Sequence, residues 1–125
     1  MIDHLGINCT DYARSQKFYD AVLDVLGYTR QLDVGVAIGY GQGGRPTFWI
    51  ADAGAGDATG PNREVHVAFS AADHEQVQKF YDTAVELGAE ALHAPRFWPE
   101  YHPGYFGAFV RDPDGNNVEA VCHQA

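Results

Sequence analysis

The residue order predicts an α+β fold of two tandem β-α-β-β-β units. First, residues 4–20 (HLGINCTDYARSQKFYD) recur without gaps at 66–82 (HVAFSAADHEQVQKFYD), offset by 62 and identical at seven of seventeen positions, where chance gives about one. Second, each copy opens with residues of strand period and passes into residues of helical period. Third, glycine- and proline-rich turns divide the remainder of each copy into short apolar runs. A period of 62 in two copies is too long and too few for a solenoid, so the chain is one domain, residues 1–125, doubled internally. Unit one is expected at about 1–53, a linker at about 54–62 (Gly, Ala and Pro-rich), and unit two at about 63–125.

In unit one Leu5 and Ile7 alternate with His4, Gly6 and Asn8; in unit two Val65, Val67 and Phe69 alternate with His66, Ala68 and Ser70. Each opening strand therefore has one apolar face and one small or polar face, with a histidine at matching positions on the latter. Asp11 and Asp73 are expected to cap the helices that follow, and Gln76 lies three residues after Asp73, the spacing of a capping box. Phe18, Val22, Val25 and Leu26 form the first helix's apolar stripe; Val77, Phe80, Ala84 and Leu87 form the second's. Gly27 and Gly88 are placed to end them. The repeated Lys-Phe-Tyr-Asp reads as structural. Further strands are expected at 28–33, 35–40 and 46–52, then at 90–93, 105–111 and 117–122, with Asp112-Pro113-Asp114-Gly115-Asn116 as the strongest turn signal.

Composition narrows the function classes. The 125 residues are 46% hydrophobic and 20% charged, enough for an ordinary core. Seventeen acidic residues against eight basic ones give a net charge of −9, which disfavours nucleic acid and anionic lipid as partners. No apolar run has the length of a membrane span, and the N-terminus has no secretory signal pattern, so a cytoplasmic location is expected. Cys9 and Cys122 are then free thiols in a reducing compartment. Gly39–Gly44 lacks the lysine of a phosphate loop, and no nucleophile-elbow pattern occurs.

The last strand, Asn117-Val118-Glu119-Ala120-Val121-Cys122, turns Val118, Ala120 and Cys122 to one face and Glu119 to the other. If the apolar face meets the helices, Glu119 joins the face that carries the histidines. Two imidazoles and one carboxylate, His4, His66 and Glu119, can make a facial ligand set for a divalent ion (Fe, Ni, Zn, Mn or Co) with positions left open for substrate. The competing reading is two hydrogen-bonded strand histidines and one surface glutamate.

At this point the sequence resembles the vicinal oxygen chelate superfamily, which includes glyoxalase I, extradiol dioxygenases, fosfomycin-resistance enzymes and bleomycin-resistance proteins. The resemblance spans nearly the whole chain. It rests on the doubled unit, the opening Ile-Asp-His-Leu-Gly-Ile, the Lys-Phe-Tyr-Asp of the first helix, and above all residues 109–119, with their Asp-Pro-Asp-Gly-Asn-x-x-Glu pattern. It implies curved mixed sheets around a small-molecule cavity, a homodimer, and metal ligands at His4, His66 and Glu119, drawn from one chain or two. Glyoxalase I usually adds a fourth ligand, a glutamate on the last strand of unit one. Aligning Phe48-Trp49-Ile50 with Val118-Glu119-Ala120 puts Trp49 there, so standard glyoxalase I activity is not expected.

The implied activity is metal-dependent lyase, isomerase or dioxygenase chemistry on a small oxygenated substrate. The alternative is a metal-free protein of the bleomycin-resistance type that sequesters a drug or metabolite; an aromatic loop and an acidic surface suit a cationic aromatic ligand. That loop, Ala94 to Tyr105, is read either as a lid or as a proline-stiffened hairpin whose aromatics pack down. Tyr101, His102 and Tyr105 are its candidate acid–base groups. Trp49, Phe97 and Trp98 are candidate substrate contacts. His74, His93 and His123 are expected to be ordinary surface residues.

Overall fold

The computed structural model describes residues 1–124. These form two compact units, Met1–Arg63 and a second from Glu64 onward, each a β-α-β-β-β unit.

Unit one runs β1 (Leu5–Cys9), α1 (Tyr12–Val25), β2 (Thr29–Asp33), β3 (Ala37–Gln42) and β4 (Arg45–Asp52). Its sheet has the order β1-β4-β3-β2, with β1 parallel to β4 and the other pairs antiparallel. Unit two repeats this as β5 (His66–Ser70), α2 (His74–Glu86), β6 (Ala91–Phe97), β7 (Phe106–Arg111) and β8 (Asn117–Cys122), in the order β5-β8-β7-β6. Both sheets are mixed and curved, and the fold is α+β. No helix among the described residues is long and apolar enough to cross a membrane.

The helix ends follow the sequence. The Asp11 carboxylate accepts from Arg14 N–H at 3.1 Å, and that of Asp73 from Gln76 N–H at 2.8 Å. Gln76 Oε1 in turn accepts from Ala72 N–H, one residue earlier than in the usual box. Gly27 and Gly88 take φ of +85° and +88°, where a side chain is strained.

α1 packs on β2 and β4, and α2 on β6, β7 and β8. The apolar stripes are wider than the sequence predicts at one end and narrower at the other. Tyr19 and Leu23 are buried beside Phe18, Val22 and Leu26, while Val25 is only half-buried. In α2 Val77, Phe80 and Ala84 are buried, but Leu87 is exposed because it is the cap residue from which the chain turns away.

The structure redraws three expected boundaries. Residues 54–62 are tied to unit one: Asn62 Oδ1 accepts from Asn8 N–H at 2.8 Å, and Asn8 Nδ2 donates to Gly60 O at 3.1 Å. This satisfies donors along β1, an edge strand of its sheet. β6 continues to Phe97, so the connection to β7 is only 98–105; two register shifts carry the strand through Pro95. β1 begins at Leu5, which leaves His4 just ahead of it.

Candidate functional site

The turn before β8 fixes the last strand of unit two. Asp112 and Asn116 are both buried. Asp112 Oδ1 accepts from Asp114 N–H and Asn116 N–H at 3.0 and 2.8 Å, and its Oδ2 accepts from Asn116 Nδ2 at 2.9 Å. Asn116 Oδ1 then accepts from Val65 N–H at 3.0 Å, just before β5. The turn thus ties β8 to β5 in the register His66↔Asn117 and Ala68↔Glu119.

That register places His66 and Glu119 side by side. Val118, Ala120 and Cys122 go into the core, and Glu119 takes the opposite face. Its carboxylate is nonetheless almost wholly buried, with 2% exposure, while His66 is half exposed. A buried carboxylate needs partners, and Glu119 has two. His66 Nε2 lies 3.0 Å from Oε1, and the Tyr105 hydroxyl donates to Oε2. Burial, then that bond to Glu119, raise the pKa of Tyr105 well above the ordinary phenol value. Gly107 leaves the room required: a Cβ there would stand 3.1 Å from Glu119 Oε2 and 3.3 Å from Tyr105 Cε1. Phe109, paired with Glu119 across the strands, stacks on the His66 ring with centroids 5.8 Å apart.

His66 Nδ1 lies 3.1 Å from Asn117 O. A carbonyl accepts only, so Nδ1 carries a proton and the neutral ring keeps its lone pair on Nε2. Nε2 and the Glu119 carboxylate then face each other as two acceptors, and a cation, proton or metal, must lie between them. Two donors bound to one ion at about 2.0–2.2 Å and a right angle are roughly 3 Å apart. The pair fits a divalent ion in spacing, tautomer and charge.

His4 is exposed, with Nδ1 2.7 Å from Asp3 Oδ1. Among the described residues no group of three His, Cys, Asp or Glu side chains is gathered as a metal set. Trp49 stands beside Gly6 in unit one as Glu119 stands beside Ala68 in unit two, and it borders an open cavity together with His4.

The 98–105 connection is packed rather than bare. Trp98 is buried, its indole N–H donates to Gly107 O at 3.0 Å, and Arg96 lies 3.4 Å over its ring. Tyr101 is exposed and stacks on Trp98. Phe97 is exposed on β6 and meets Phe106 edge-on. His102 Nε2 lies 3.0 Å from His123 Nδ1. Tyr105 alone among these loop residues reaches the Glu119 carboxylate. The three histidines expected to be plain surface residues also have ring partners: His74 stacks on Phe106, His93 meets Trp98 and Phe109 edge-on, and His123 stacks on His102. Gly107 and Phe109, which shape the Glu119 site, were not legible as site residues; the only signal is their position on the strand beside β8.

A family model for the glyoxalase/bleomycin resistance protein/dioxygenase superfamily matches residues 1–120. The chain belongs to this superfamily. Its members generally use divalent metal ions, commonly bind small molecules and often dimerise. The superfamily likeness extends to solved structures. A glyoxalase/bleomycin resistance protein from Albidiferax ferrireducens T118 is 25% identical, with a TM-score of 0.79 over 96% of each chain. A lactoylglutathione lyase from Agrobacterium tumefaciens is 24% identical, with a TM-score of 0.68 over 98% of this chain and 92% of that one. A superfamily enzyme from Burkholderia phytofirmans PsJN is 18% identical, with a TM-score of 0.73 over 98% of both. No curated protein matches the sequence.

Proposed function

We propose that this superfamily member is a metal-dependent enzyme acting on a small oxygenated substrate by lyase, isomerase or dioxygenase chemistry, with His4, His66 and Glu119 holding the ion. The observation that carries the reading is the buried Glu119 carboxylate set 3.0 Å from His66 Nε2. A divalent ion there supplies Lewis acidity to substrate oxygens and offsets negative charge that develops on them.

The chain's own groups have distinct tasks. Asn117 O fixes the His66 tautomer, and Phe109 restricts rotation of its ring. Tyr105 orients Glu119 by donating to Oε2, which leaves Oε1 toward His66. Its strongly held proton makes it a hydrogen-bond donor rather than a base near neutral pH. His4 is the third donor, and Trp49, standing where a fourth ligand would be, directs the reading away from glyoxalase I.

The test is elemental analysis of untagged protein purified without chelators, beside His4→Ala, His66→Ala and Glu119→Ala. Near-stoichiometric metal in the native protein and loss in all three variants is expected. A native protein that stays empty after reconstitution with Fe, Ni, Zn, Mn and Co overturns the reading and leaves sequestration of a small molecule in its place. Mixing the His4→Ala and His66→Ala proteins identifies the chain that supplies His4. Recovery of metal in the mixture means that sites are shared across a homodimer, and no recovery means that each chain holds its own.

A further inference from the structure

β4 carries a row of side chains that the metal reading does not use. Phe48 and Ile50 are buried in the core of unit one, so alternation turns Arg45, Thr47 and Trp49 to the other face. The row borders an open cavity of about 340 Å³, with His4 and Asp3 also on its wall.

The indole is clamped. A Cβ at Gly39 would stand 2.8 Å from Trp49 Cε2 and Cζ2 and 2.5 Å from Pro46 Cβ. The ring therefore lies against bare β3 backbone at one side while it borders the cavity. Arg45 differs from the paired arginines of the molecule. Arg30, Arg96 and Arg111 each meet a carboxylate within 3.2 Å; among the described residues Arg45 meets none. Asp3, the carboxylate on the wall, is bonded to His4 and lies within electrostatic reach of Arg45 without forming an ion pair with it. In a chain of net charge −9, this cavity pairs a fixed aromatic plane with a guanidinium whose hydrogen-bonding fork is taken by no carboxylate and matches one.

We propose that the unit-one cavity binds a planar aromatic carboxylate, its ring on Trp49 and its carboxylate on Arg45, with the Thr47 hydroxyl as a further donor. This gives a substrate class to the function proposed above and rests on that reading only for the part played by His4. It also reverses the sign of the ligand expected from overall charge, because the local cation outweighs a diffuse acidic surface that salt screens.

Calorimetric titration of the chelator-treated full chain tests it, with 2-naphthoate, neutral 2-naphthylmethanol, cationic 2-naphthylmethylammonium and non-aromatic cyclohexanecarboxylate as probes. Naphthoate is expected to bind tightest. Arg45→Gln should weaken naphthoate by roughly ten- to hundredfold and leave the neutral alcohol unchanged. Trp49→Leu should weaken both, with Trp49→Phe recovering part of the loss. Naphthoate binding no tighter than the alcohol or the ammonium, no response to Arg45→Gln, or no binding at all overturns the inference. Metal content separates the two proposals. A Glu119→Ala protein that binds naphthoate normally keeps this inference even where the metal reading fails; an Arg45→Gln protein that keeps its metal but loses naphthoate localises the effect to the cavity.

Discussion

Unit one and unit two place different chemistry at the same point of the same fold. The first strand of each lies beside its last, and the residues at the matching position are Trp49 and Glu119. The next strand answers each of them. Glycine at 39 admits the flat indole, whereas Phe109 covers the His66–Glu119 pair. Duplication preserved the backbone and the helix-facing alternation, both of which the core demands. The other face was free to diverge, into an aromatic wall in one copy and a buried carboxylate in the other.

The Lys-Phe-Tyr-Asp repeat shows the same divergence on a helix. Asp20 accepts from Arg30 Nε and Nη2, both at 2.8 Å, and from the Tyr40 hydroxyl at 2.7 Å. It joins α1 to β2 and β3. Asp82, with the same neighbours in sequence, accepts from Gln78 on its own helix. Identical letters do not carry identical tasks.

The largest effect expected concerns what the units share. Phe80→Ala removes a wholly buried ring of unit two and should cost about 3–5 kcal/mol in urea unfolding. Next come the substitutions that separate the two faces. Tyr105→Phe should lower metal affinity roughly 10- to 100-fold, read by competition with a chromogenic chelator, and should also lower the melting temperature because it leaves buried Glu119 Oε2 without its donor. Gly39→Ala should destabilise unit one by about 1–3 kcal/mol, because rigid Pro46 stands 2.5 Å from the added methyl. Gly107→Ala, at 3.1 Å from a carboxylate oxygen, should cost less.

The smallest effects test the helix comparison. Asp20→Asn should cost about 1 kcal/mol, since the ion pair is partly exposed, and Asp82→Asn less than about 0.5 kcal/mol. Burial pushes the Asp20 pKa up, but the bonds from Arg30 and Tyr40 outweigh it and hold it below the usual carboxylate value. Its contribution is therefore fully present above the unfolded value of about 4 and lost as pH falls through the depressed folded value. Native protein should show this acid-dependent loss, and Asp20→Asn should lack that component of it, in melting curves taken from pH 6 downward.

Much of the fold was legible because short-range rules dominate it. Period-two alternation gave the strand faces, Asp11 and Asp73 gave the helix starts, and the repeat gave the duplicated topology. Parity also put His66 and Glu119 on one face. Other features depend on contacts between strands, which no local pattern encodes. The space at Gly107 and the stacking of Phe109 on His66 follow from the β7–β8 register. Pro95 looked like a loop residue because its N–H is missing, yet a register shift let the strand continue past it. His74 and His123 looked ordinary because polarity alone does not reveal a ring partner far along the chain.

The parallel pairing of first and last strands has a consequence for how the protein is made. Leu5 waits for Phe48, and Val67 for Val118, partners more than forty residues downstream. Hairpins β2–β3–β4 and β6–β7–β8 close over short loops and can form early, whereas this closure bears the largest chain-entropy cost. On the ribosome, β1 can pair once β4 has emerged, but β5 must remain unpaired until β8 has emerged. His66 therefore meets Glu119 only after β8 has been made. A chain that stops before β8 has no assembled ligand pair, however well its earlier hairpins have formed.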